Sequence, residues 1–105
     1  VGFAAFEAAA SAGYPLAMST AVVEGRALEV YPHATALRLG GDPTLGPKRV
    51  WRRAALESAG VTTAPLRSVD ALDAALAALT GVLALEGGCE ALGDEGDGVI
   101  VLPAG

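Results

Sequence analysis

Apolar positions along the chain fall into short periodic runs separated by glycine and proline. Phe3, Phe6 and Ala10 recur at i, i+3, i+7 and predict a helix over residues 3–12, stopped by Gly13. Residues 16–23 and 26–31 read as two strands. In the second, Leu28 and Val30 alternate with Glu29 and Tyr31, and Glu24-Gly25 between the two suits a tight hairpin. Pro32 then opens a helix to Leu39, stopped by Gly40-Gly41. After a loop, Pro47 opens a second helix, Lys48 to Ala59, closed by Gly60. Ser68 is an N-cap for the longest helix, Val69 to about Leu85, with Asp70 and Asp73 in its first turns. A Gly-rich turn, Gly87 to Gly98, leads to a final strand, Val99 to Leu102. The order α-β-β-α-α-α-β is that of one α/β or α+β unit.

Composition narrows this picture. The 105 residues contain 23 Ala but only 27 larger aliphatics and Phe, enough for one modest core. One cysteine, Cys89, excludes an internal disulfide framework and a cysteine-based zinc site. The longest charge-free run, residues 8–23, contains Gly13 and Pro15 and is too short to span a bilayer. No signal peptide is visible, so the expected setting is cytoplasmic. The net charge of −5 is unevenly spread: −2 over residues 1–25, +4 over 26–67 and −7 over 68–105. An acidic total opposes non-specific nucleic-acid binding, whereas the basic middle segment can still form a local patch.

Helical geometry separates the two acids of the last helix. Leu72, Leu76, Leu79 and Leu83 lie within about 60° of one another at 100° per residue and define a buried stripe. Asp73 falls about 90° from its middle, at the core edge, and Asp70 about 150° away, toward solvent. Both acids also suit a helix N-terminus electrostatically. Glu29 is a charge in mid-strand opposite Leu28 and Val30, and can equally be a solvated sheet residue. Two-metal phosphodiester hydrolysis needs several carboxylates converging on cations; Glu29 and Asp73 supply two. Lys48, Arg49, Arg52 and Arg53 make two adjacent i, i+4 stripes that could grip phosphates, with Trp51 stacking a base or turned inward. His33 lacks a second His to form a ligand pair. The acidic turn Gly93–Gly98 lacks the spacing of a calcium-binding EF-hand loop. Gly87-Gly88 and Gly40-Gly41 are helix stops rather than phosphate loops.

The series Glu29-Val-Tyr-Pro32, the Lys48…Arg52-Arg53 helix, Asp70-Ala-Leu-Asp73 and the closing Gly98-Val-Ile-Val-Leu-Pro103 resembles the C-terminal half of the domain-of-unknown-function family 429. The resemblance runs from about Gly13 to Pro103. Members of that family are predicted nucleases with a ribonuclease-H-like α/β fold. It implies that Glu29 and Asp73 are catalytic and metal-binding acids holding Mg²⁺ or Mn²⁺, and that Lys48, Arg52 and Arg53 contact nucleic acid. Such folds begin with a strand bearing a first acidic residue, and none is found here. The chain also starts at Val1 in helical sequence without an N-cap. We therefore expect the C-terminal part of a larger domain, with a short sheet (hairpin plus one later strand) and three to four helices. Three functions stay open: a metal-dependent nuclease-like hydrolase, a non-catalytic scaffold or oligomerisation module, and nucleic-acid binding by the basic patch without catalysis. In the second, a second copy or a missing N-terminal segment would complete the sheet.

Overall fold

The computed structural model describes residues 3–94, 96 and 98–105, apart from the Phe3 side chain. Glu95 and Asp97 of the acidic turn lie outside the described residues. Four α-helices form close to the positions the punctuation indicates: α1 (Phe3–Ser11), α2 (Pro32–Arg38), α3 (Lys48–Ser58) and α4 (Val69–Leu85). Their starts follow local chemistry. Pro32 occupies the first turn of α2, Pro47 directly precedes α3, and Ser68 Oγ accepts the Ala71 N–H at the head of α4.

Their ends share one device. In α2 the Gly41 N–H donates to Ala36 O and the Gly40 N–H to Leu37 O. The equivalent pairs are Tyr14 to Ala9 and Gly13 to Ala10 in α1, Val61 to Leu56 and Gly60 to Glu57 in α3, and Gly88 to Leu83 and Gly87 to Ala84 in α4. This is the Schellman closure, whose left-handed residue is a glycine in each case. Gly41 has a further constraint, because a Cβ there would lie 2.7 Å from Ala36 O and 2.9 Å from the Trp51 ring. Between α2 and α3 a 3₁₀ turn, Pro43–Leu45, is capped by Asp42. Asp42 Oδ1 accepts from the Thr44 hydroxyl and N–H, and these bonds hold its carboxyl below the ordinary range.

The main core lies between α2, α3 and α4. Ala36, Trp51, Ala55, Leu56, Leu72 and Leu76 are its buried centre, ringed by Leu39, Val61, Leu66, Ala75 and Leu79. On α4 the fully sheltered line runs Leu72, Leu76, Thr80, Ala84, so the apolar stripe includes a hydroxyl. Thr80 Oγ1 donates to Leu76 O at 2.8 Å, which uses its one proton. The 2.9 Å contact between Thr35 and Thr80 is therefore a bond donated by Thr35. A buried hydroxyl is tolerable only with such a partner.

The sheet departs from the sequence reading. The hairpin is formed by β1 (Cys89–Asp94) and β2 (Gly98–Pro103), antiparallel, with Ala91 opposite Val101 and Leu92 opposite Ile100. The Gly-rich stretch taken as a turn thus contains a strand, whereas residues 16–31 form no hairpin. Leu16 and Ala27 make a parallel bridge, as do Val30 and Val101. The reason lies in the turn. The Arg26 N–H donates to Val23 O, and the single positive φ is at Gly25, the second central residue. That is the pattern of a type II turn, whose twist splays flanking strands instead of pairing them. Only the end of this segment, Glu29–Val30, reaches β2, with the Val101 N–H donating to Glu29 O.

Helices α2 and α4 cover the face of the sheet that carries Val99 and Val101, both buried. On the opposite face Leu92 and Ile100 are exposed as a cross-strand pair. Arg38 ties α2 to the open end of the hairpin through Pro103 O at 2.9 Å and Glu90 at 2.8 Å. Among the described residues no helix is long and apolar enough to cross a membrane.

The hydroxyl pair gives a direct test of this packing. Thr80→Val keeps the shape but strands the Thr35 hydroxyl, and is expected to cost about 1–3 kcal/mol in urea unfolding. Adding Thr35→Val is expected to recover most of that loss, because an apolar pair of the same shape needs no partner.

Candidate functional site

The Arg52 guanidinium organises the polar chemistry of the molecule. Arg52 is only 5 % exposed, on the inner side of α3 next to buried Trp51. Its Nη1 donates to Asp73 Oδ1 at 2.6 Å, and its Nη2 lies 3.1 Å from His33 Nδ1. A guanidinium has no acceptor, so the second contact makes Nδ1 the acceptor and places the His33 proton on Nε2. The Arg52 Cζ also sits 5.4 Å from the Trp51 ring centroid, within cation–π range. Its Nε is buried without a partner.

Rings continue the cluster outward. The edge of Trp51 meets His33 at 5.2 Å between centroids, at 86°, and Tyr31 stacks on His33 at 5.8 Å and 28°. Tyr31 itself is 53 % exposed. Local folding brings these residues together: Tyr31 is the N-cap of α2, so the bridge at Val30 ends and the helix begins within the cluster. From α4, Asp73 arrives at the core edge with a side chain 30 % exposed, as the helical-wheel geometry places it, whereas Asp70 is exposed.

The other candidates are placed as follows. Glu29 lies on the face of the sheet away from Val30 and Val101, with Oε2 about 3.8 Å from where a Gly98 Cβ would be. It is joined to the cluster through the chain leading to Tyr31, and no described bond links it to Asp73. Arg53 donates from Nη1 to Thr63 O at 2.7 Å and from Nη2 to Leu66 O at 2.6 Å, clamping the connector between α3 and α4. Lys48 and Arg49 are exposed on the first turn of α3. Lys48 precedes Arg52 by four residues and shares its helix face. Trp51 points inward, at 2 % exposure. Among the described residues no three His, Cys, Asp or Glu side chains converge as a metal-binding group.

A family model described as "Protein of unknown function (DUF429)" matches residues 2–97. The chain belongs to the DUF429 family. No curated protein and no solved structure matches it. Within this DUF429 chain the sequence reading singled out Asp73 and Arg52 but did not join them, and set His33 aside for want of a second His. The signal that could have recovered His33 is its place next to Tyr31-Pro32, in the first turn of α2 beside a second aromatic ring.

Cys89 lies on β1, where Sγ donates weakly to Thr80 O at 3.5 Å, and burial pushes its thiol pKa up. Its thiolate is expected to form only above the ordinary thiol range. Reaction with a disulfide reagent at pH 8 should therefore be slower in the native than in the urea-unfolded chain.

Two substitutions test the charged contacts. Arg53→Ala removes two charge-assisted bonds to carbonyls and should cost about 2–4 kcal/mol of unfolding free energy, with faster exchange of the 61–67 amides. Asp73→Asn leaves a nearly dry guanidinium with a neutral partner, and about 1–3 kcal/mol is expected because Asp73 is partly solvated.

Proposed function

We propose that this DUF429 chain serves metal-dependent phosphodiester hydrolysis of the ribonuclease-H-like kind, with Asp73 and Glu29 as its acidic residues and Lys48 as a phosphate contact. The observation that carries this reading is the state of Asp73. One oxygen is oriented by a buried arginine, while the side chain stays partly open to solvent, and exposed Lys48 lies one helical turn before that arginine on α3.

Asp73 offers the hard carboxylate oxygen that Mg²⁺ or Mn²⁺ would take together with waters and substrate phosphates. Glu29, on the sheet face turned away from α4, would act outside that coordination shell. Such an ion, when bound, polarises a phosphoryl oxygen and lowers the pKa of a bound water. The residues of this chain do the rest. Arg52 holds Asp73 in one orientation and offsets part of its charge. Lys48 adds positive potential one turn away, in the basic middle of an otherwise acidic chain. Arg52 and Arg53, both engaged in internal bonds, support phosphate binding by holding α3 in place.

The non-catalytic scaffold is a second reading, favoured by the exposed Leu92–Ile100 pair and by α1, which packs on no other described helix or strand. Sedimentation equilibrium distinguishes it: self-association weakened by Leu92→Lys supports the scaffold, and a monomer of 10.4 kDa removes its oligomeric form.

For the metal reading the measurement is Mn²⁺ binding to the intact chain by electron paramagnetic resonance, with native circular dichroism as the control for folding. Asp73→Asn is expected to weaken binding at least ~10-fold, and Glu29→Gln to weaken it less. Equal Mn²⁺ affinity in wild type and Asp73→Asn overturns the assignment of Asp73.

A further inference from the structure

The Tyr31–His33 pair has a geometry that neither folding nor cation binding requires. Tyr31 is half-exposed, yet its ring is backed by an imidazole whose other neighbours are Trp51 and the Arg52 guanidinium. The imidazole is pinned, because Nδ1 accepts from Arg52 and the proton resides on Nε2. Nε2–H has no described protein acceptor and is not a fully buried orphan, so it keeps some access to solvent on a half-buried ring. Arg52, more than nine-tenths buried, carries at its Nε the one such orphan among the described residues. The result is a flat, rigid, half-open aromatic surface beside a fixed hydrogen-bond donor. Exposed Lys48 lies one turn from the arginine that anchors it.

We propose that Tyr31, backed by His33, is the stacking platform for one base of a single-stranded nucleic acid, with His33 Nε2–H and Lys48 directed to its backbone. This names the substrate class of the phosphodiester reading above and rests on that reading. Three considerations favour a single strand over a duplex. A base in a duplex already has both faces stacked and cannot use the Tyr31 ring, whereas an unpaired base can. The chain carries −5 net charge, so backbone electrostatics alone are a poor anchor and a contact independent of charge is needed. The exposed cations of the first turn of α3, Lys48 and Arg49, can neutralise about two phosphates, fewer than a duplex site of ordinary affinity engages.

The platform can be tested without metal or turnover, on the intact chain in EDTA with hexathymidylate as the probe. Trp51 is the only tryptophan and His33 the only histidine, so both reporters are unambiguous. Binding is expected to change Trp51 fluorescence and to shift the His33 ring resonances. Long-range ¹H–¹⁵N spectra should show the proton on Nε2 before and after binding. The salt dependence should be shallow, with a slope of log affinity against log salt of about −1.4 for two contacts to a single strand. Tyr31→Ala should weaken binding roughly 5- to 100-fold and Tyr31→Phe should retain it, whereas Tyr31→Leu should behave like Ala because bulk without a π-face does not stack.

Unchanged affinity in Tyr31→Ala, equal binding of a matched duplex, or no binding of hexathymidylate up to about 1 mM would each overturn the platform. Mn²⁺ binding that depends on Asp73 without hexathymidylate binding removes the platform alone. Hexathymidylate binding in EDTA with no Asp73-dependent Mn²⁺ site removes the metal reading and keeps the platform.

Discussion

A guanidinium at 5 % exposure is the constraint around which the rest of this molecule is arranged. Moving a charge into such a place costs several kcal/mol unless it is paired and hydrogen-bonded. Arg52 meets that condition only where α2, α3 and α4 come together. Asp73 reaches it from the head of α4, His33 from the first turn of α2, and Trp51 lies beneath it on α3. Displacing any of the three helices breaks one of these contacts and leaves the charge poorly compensated. The apolar core between them, centred on Leu56, Leu72 and Leu76, supplies the cohesion. The ion pair specifies which arrangement of that core is allowed.

The same contact couples fold to chemistry. Because arginine only donates, its bond to His33 selects one imidazole tautomer, and because it occupies Asp73 Oδ1, it also sets the carboxylate's orientation. A single buried side chain therefore prepares two groups at the rim. Arg53, the next residue, points to another side of α3 and closes the connector through Thr63 and Leu66. Adjacent arginines of identical chemistry thus do different work, since 100° of helical rotation separates them.

How far the fold and the candidate site could be read from the chain alone depends on the range of the forces involved. The helices were legible because their starts and stops are local: Pro32, Ser68 and the glycines after each C-terminus act within a turn or two of their own position. Asp73 was legible as a core-edge acid for the same reason, since helical rotation alone sets its angle to the leucine stripe. The hairpin was not. Glu24-Gly25 resembles a tight connection in sequence, yet it closes as a type II turn, after which Ala27 bridges Leu16 and Val30 bridges Val101 of β2, both in parallel. Cys89–Asp94 contains Gly93 and two acids, a poor strand by propensity, and is extended because β2 offers it a full ladder of partners.

By itself, then, the amino-acid sequence determined the mixed α/β class, the four helices with their caps and membership of a family of unknown function. The tertiary structure decided which strands pair and which charges meet. Arg52 and Asp73 are 21 residues apart, Arg52 and His33 are 19, and Thr35 and Thr80 are 45. No local rule selects such partners. They are chosen when the core closes and each buried polar group must find the one complement within reach, because leaving it unpaired costs more than the net gain from making the bond.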